Sequence, residues 1–195
     1  MEILEIKDLE TLAKKRVPKM FFDYVNSGSW TETTYNQNVS DFQKIKLRQR
    51  VAIDMSNRTL ETKMINQTVS MPVAIAPTGL TGMQRADGEI LAAQAAEEFG
   101  IPYTLSTMSV CSIEAVAEKT KTPFWFQLYV MKDKKFMERL IDRAKEAKCS
   151  ALVLTLDLQL LGQRHKDLRN GLSTPPKLIP KHIYQVLTRP MWCLR

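Results

Sequence analysis

From residue 71 onward, apolar and polar positions alternate between two periods. "PVAIAP" (72–77) is an apolar run of strand length. "DGEILAAQAAEEFG" (87–100) has helical spacing, with Asp87 at its start, acids about its first turn and Gly100 at its C′ position. "IPYTLST" (101–107) reads as the next strand and "SIEAVAEK" (112–119) as the next helix. "FWFQLYV" (124–130) is a third strand, followed by the helix "DKKFMERLIDRAKEA" (133–147) with Met137, Leu140, Ile141, Ala144 and Ala147 in one stripe. "ALVLTLD" (151–157) is a fourth strand. Strands apolar on both faces that alternate with amphipathic helices predict a parallel sheet of right-handed βαβ units.

The flanks are less regular. The first 30 residues predict helices: Leu9, Leu12 and Ala13 share a face behind Asp8 as N-cap, and Pro18 suits a first helical position ahead of Phe21, Phe22 and Val25. Residues 31–70 read as an irregular connector with short extended pieces. Residues 161–195 read as loop up to Pro180, with a short helix near 181–188. The expected organisation is therefore a lead-in over 1–70, βα units over 71–160 and a tail over 161–195. Four βα units can complete a doubly wound sheet, whereas an eight-fold barrel needs about 250 residues.

Composition adds the class. The chain has 195 residues, 44% hydrophobic and 25% charged, as a soluble globular protein has. The start lacks a basic stretch followed by an apolar one, so no secretory signal is expected, and no apolar run reaches membrane-spanning length. Cys111, Cys149 and Cys193 have no metal-ligand spacing, and their odd number suggests a reducing compartment. The net charge of +7 is concentrated in the tail, where Arg164, Lys166, Arg169, Lys177, Lys181, Arg189 and Arg195 face the single acid Asp167. Such a tail suits solvent or an anionic membrane surface. Nucleic acid is not expected as a partner, because no aromatic residues interleave with the charge.

Parallel α/β folds carry their chemistry at the C-terminal strand ends. Those ends read Pro77-Thr78-Gly79, then Thr104 and Ser106, then Gln127 and Tyr129, then Thr155 and Asp157. The last three pairs are spaced i, i+2 and so share a face. Recurrence in four successive strands points to a ring of polar groups around a site. The Gln127 amide with the Ser106 and Thr155 hydroxyls suits a heteroaromatic ring, and Gly79 opens room for a flat ligand. Asp157 is placed to orient a histidine, and Arg164 to grip a carboxylate.

At these residues the chain resembles a known family. "MPVAIAPTGLTGM", "GIPYTLSTMSVCSIEAVA", "FWFQLYVMKDKKFMERLIDRAKEAKCSALVLTLD" and "GQRHKD" are similar to the FMN-dependent 2-hydroxy-acid dehydrogenases, which include L-lactate dehydrogenase, glycolate oxidase and mandelate dehydrogenase. "FFDYVNSGSWTETTYNQN" and "LRQRVAIDMSNR" resemble the family's lead-in, and the phrasing is nearest to bacterial L-lactate dehydrogenases. The resemblance covers about residues 1–170. It implies an α/β fold of the (β/α)₈ TIM-barrel family, with this chain holding the lead-in and about the first four βα units.

The resemblance further implies that Pro77, Thr78 and Gly79 line FMN through their backbone and that Ser106, Gln127 and Thr155 hydrogen-bond it. Tyr24 and Arg164 would bind the substrate carboxylate, Tyr129 the substrate hydroxyl or developing carbonyl, and Asp157 would orient the catalytic histidine. The implied reaction removes the hydroxyl proton and C2 hydrogen of an L-2-hydroxy acid, reduces the flavin and releases a 2-oxo acid, most simply L-lactate to pyruvate. Gly79, where family oxidases often carry alanine, leans toward a dehydrogenase whose electron acceptor is a quinone or cytochrome. The complete enzyme is expected to be a homo-oligomer, in the cytoplasm or peripheral on the inner face of the cell membrane.

The departures are as informative. The family's histidine base, its carboxylate-gripping arginine partner, its flavin-contacting lysine and its phosphate-binding segment belong to the second half of the barrel. None of those motifs occurs here; His165 and His182 lie elsewhere. Gln163 stands where some relatives have arginine, and Leu160-Leu161 where a proline-containing turn is common. The expectation is a truncated enzyme lacking its base, with a non-catalytic half-barrel module or one part of a split enzyme as the alternative. A phosphate-binding barrel of another kind is disfavoured, because no phosphate-cradling glycine motif is present.

Overall fold

The computed structural model describes residues 2–65, 67–157, 159–173, 177 and 179–194. It divides into two compact units, one formed by residues 1–53 with 160–195 and the other by residues 54–159. The first 53 residues of the lead-in and the tail thus belong to one unit, while residues 54–70 join the βα repeats in the other.

The repeat unit opens with an antiparallel pair, β1 (Thr62–Met64) and β2 (Gln67–Val69). The helices α4 (Thr81–Gln84), α5 (Gly88–Phe99), α6 (Ile113–Lys119) and α7 (Lys134–Glu146) alternate with the parallel strands β3 (Thr104–Leu105), β4 (Trp125–Tyr129) and β5 (Ala151–Thr155); the lead-in contributes α1 (Ile6–Arg16), α2 (Lys19–Val25) and α3 (Thr33–Ser40). β4 lies between β3 and β5, with Thr104 opposite Trp125 and Gln127 opposite Val153. The run at 72–77 forms no full strand; it joins the sheet through a single parallel bridge from Ile75 to Tyr103. Pro72, Pro77 and Pro102 explain this, because each lacks the N–H that a longer ladder needs. The strands expected over 101–106, 124–130 and 151–157 are likewise shorter at their ends.

Strand alternation decides what each face buries. Tyr103, Leu105, Phe126 and Leu128 point to the helices and pack with Ala93, Ala96, Ile113, Val116, Leu140 and Ala144. Burying a side chain such as Phe126, 1% exposed, contributes about 2–3 kcal/mol. Asp133 and Ser112 cap α7 and α6 by accepting from Phe136 N and Ala115 N. A bidentate pair from Arg143 to Glu114 joins these two helices at 2.7 Å and holds the Glu114 carboxyl down to about 2. On β5 the same helix-side positions, Leu152 and Leu154, are exposed.

The first unit is more helical than expected. α1 is capped by Glu5, not Asp8; Asp8 sits one turn in, where its Oδ2 accepts from Leu4 N and Glu5 N. Pro18 is the N-cap of α2 and not its first residue. The connector holds α3 and a 3₁₀ turn at Asp41–Lys44. The expected loop carries α8 (His165–Asn170), and α9 (Pro180–Leu187) and α10 (Pro190–Cys193) follow. Pro180 and Pro190 each occupy a first helical turn, which spares the missing N–H.

Candidate functional site

The side chains at the strand ends of the repeat unit form a hydrogen-bonded network centred on Gln127. Its Oε1 accepts from the Ser106 hydroxyl (3.2 Å) and from Thr107 N (3.1 Å), and its Nε2 donates to Thr155 Oγ1 (2.7 Å). A backbone N–H can only donate, so the Thr107 contact fixes which end of the amide is oxygen. Ser106 Oγ in turn accepts from Met108 N, and Thr107 Oγ1 donates to Gln127 O. Ser106 and Gln127 are buried, and Thr155 is half-buried. Tyr129, the register partner of Thr155, lies half-buried on the same face.

The remaining expected residues are placed as follows. Pro77 and Thr78 are exposed and Gly79 is half-buried, in the loop before α4. Leu80 N donates to Met108 O at 2.9 Å, so this loop is tied to the one after β3. Asp157 is exposed two residues beyond β5. Tyr24 and Arg164 both belong to the first unit, where the guanidinium stacks over the Tyr24 ring at 4.7 Å. Arg164 Nη2 donates to Tyr24 O and to Ser27 Oγ, and its Nε pairs with Asp167 Oδ2 at 2.9 Å. Burial pushes the Asp167 carboxyl up despite the neighbouring Arg164 charge.

Two residues escaped the sequence reading. Thr107 supplies the donor that orients Gln127, yet nothing in its spacing separates it from an ordinary strand-end threonine. Glu89, the second residue of α5, is fully buried, and its Oε1 accepts from Gly82 N (3.0 Å) and Val110 N (2.9 Å). Burial pushes its carboxyl up, but the N–H groups of Val110 and Gly82 more than offset this, and it sits below the usual range. The signal was present: Glu89, Ala93 and Ala96 fall at i, i+4 and i+7, on the face that is buried. Burial also pushes the Cys111 thiol, which lies against Glu89, up to about 11.

Residues 13–195 match the family described as FMN-dependent dehydrogenase. The chain belongs to that family. It is 46% identical over 192 residues to the L-lactate dehydrogenase of Acinetobacter baylyi, covering 98% of this chain and 50% of the relative. It is 48% identical over 185 residues to that of Acinetobacter baumannii, covering 95% and 48%. Among solved structures it superposes on an (S)-mandelate dehydrogenase described as a monotopic membrane protein, with TM-score 0.91 and 33% identity over 100% of this chain and 52% of the other. A mandelate oxidase matches with TM-score 0.80 and 32% identity over 90% and 50%. The fold is thus that of the family's (β/α)₈ barrel, and the chain spans about half the length of the relatives it matches.

The network fits the family's FMN. The contacts around Gln127 leave one Nε2 hydrogen and the Thr155 hydroxyl hydrogen for a ligand. Those donors suit the carbonyl and ring-nitrogen acceptors along the pyrimidine edge of an isoalloxazine.

Proposed function

We propose that this chain supplies the flavin-contacting residues and part of the substrate-contacting residues for FMN-dependent oxidation of an L-2-hydroxy acid, L-lactate to pyruvate. The Ser106–Gln127–Thr155 network carries the reading, supported by the similarity to L-lactate dehydrogenases. FMN, when bound, accepts the two electrons that leave the substrate. Ser106, Gln127 and Thr155 hold it, with the backbone of Pro77, Thr78 and Gly79 beside it. Tyr24 and Arg164 bind the substrate carboxylate, the charge-assisted fork of Arg164 being suited to two oxygens. Tyr129 hydrogen-bonds the substrate oxygen, and Asp157 orients a histidine base contributed from the barrel's second half. A quinone or cytochrome is the final acceptor, and the complete enzyme is a homo-oligomer.

The test is flavin uptake. Co-expressed with a polypeptide carrying the second half of the Acinetobacter baylyi relative, the chain is expected to purify as a yellow complex that holds FMN stoichiometrically. A colourless complex that leaves FMN fluorescence unquenched would favour the second reading, a non-catalytic half-barrel, for which the exposed Leu152 and Leu154 of β5 speak.

The basic tail is proposed to face an anionic membrane. No helix among the described residues is long and apolar enough to cross one. Instead Ile183, Tyr184 and Leu187 of α9 and Met191 of α10 are exposed beside Lys181 and Arg189; Arg195 lies outside the described residues. Apolar side chains with basic neighbours suit binding in the headgroup plane, with about 1 kcal/mol from each basic residue near the surface. The chain is expected to sediment with phosphatidylserine vesicles and not with phosphatidylcholine ones, less so at high salt, and Leu187→Asp to weaken this severalfold. Equal sedimentation with both vesicle types would rule out the charged contact.

A further inference from the structure

One loop follows the bridge at Ile75 and another follows β3, and each carries residues of the proposed cofactor site: Pro77, Thr78 and Gly79 on one, Ser106 on the other. Hydrogen bonds tie the two together. Leu80 N donates to Met108 O, with Leu80 held in the left-handed region at φ 56. Glu89 adds two more, because one buried carboxylate oxygen receives Gly82 N from α4, directly after the first loop, and Val110 N from the second loop. The approach is close: a Cβ on Gly82 would lie 2.6 Å from Val110 Cβ and 3.0 Å from Glu89 Oε2.

The effect reaches the site through a short relay. Val110 follows Met108 by two residues, Met108 N donates to Ser106 Oγ, and Ser106 donates to Gln127 Oε1. A bond network of this kind fixes the orientation of its far members when its near end is anchored. The geometry points to Glu89 as a positioning residue that clamps the two loops in the arrangement the flavin contacts require. The inference rests on the proposed flavin site for its purpose, while the clamp itself rests on the hydrogen bonds.

Hydrogen exchange in the full chain tests the clamp. In Glu89→Ala the amides of Gly82 and Val110 should exchange at least about tenfold faster, while those of Leu105, Phe126 and Leu128 keep their protection. Glu89→Gln should restore much of the protection, since its carbonyl oxygen can accept both bonds. In the complemented yellow complex, Glu89→Ala should weaken FMN binding at least about tenfold, and Glu89→Gln should recover most of it. Unchanged exchange in Glu89→Ala, or faster exchange of loops and core together in both variants, overturns the clamp. Freed loops with unaltered FMN affinity overturn the positioning role. A wild-type complex that takes up no FMN refutes the flavin reading, and the exchange data still decide the clamp.

Discussion

Supplied with L-lactate and a dye acceptor, the 195-residue chain alone is expected to form no 2-oxo acid above the buffer rate. A positioned general base contributes typically 10²–10⁴-fold. Both histidines belong to the first unit, on α8 and α9, and neither stands at a strand end of the repeat unit. His182 is buried with Nδ1 facing Lys177 O at 2.6 Å and Nε2 facing Asn170 O at 2.8 Å, so both ring nitrogens are occupied by backbone carbonyls. His165 opens α8 with its ring edge-on to Trp30, 5.7 Å between centroids. Arg164, proposed to bind the substrate carboxylate, is engaged through Tyr24 O, Ser27 and Asp167. Addition of the second-half polypeptide should bring lactate-dependent dye reduction with it. Turnover by the chain alone that survives replacement of both histidines would show that the base lies among other residues and sink this account.

Gln127→Leu is the substitution expected to do most damage for its size. Leucine fills a similar volume but offers nothing to the three groups that Gln127 satisfies. The Ser106 and Thr155 hydroxyls can rotate to other partners; Thr107 N–H cannot, and an unpaired buried amide costs about 1–3 kcal/mol. A loss of roughly 2–3 kcal/mol, read as a lower urea midpoint at unchanged slope, is expected, with loss of FMN from the complemented complex. Gln127→Glu separates the two roles. Its carboxylate can accept from all three groups, so it should unfold closer to wild type, yet it has no N–H left for the cofactor and should still lose FMN. A leucine variant as stable as wild type would show that the network holds nothing in place.

Much of the repeat unit was legible because periodicity reports burial directly. Phe126 and Leu128 alternate with Gln127 and Tyr129, and the helix stripe of Leu140 and Ala144 is the face that packs on them. Proline erased part of that signal at 72–77, where apolar composition promised a strand and the missing N–H groups left one bridge. In the first unit the reading was weaker. The helices α3 and α8 carry little apolar periodicity, and their polar residues take meaning only from partners far along the chain, as when Asn170 donates to Asp23.

By itself the sequence determined the βα alternation, the polar character of successive strand ends, the concentration of positive charge in the tail and, through its motifs, the family. Each of these depends on residue type and local spacing. The tertiary structure decided which oxygen or nitrogen of Gln127 faces which neighbour, that Glu89 joins two loops, and that Arg164 stacks on Tyr24 140 residues away. These are hydrogen bonds and ring contacts between distant segments, whose geometry exists only once the chain has closed on itself.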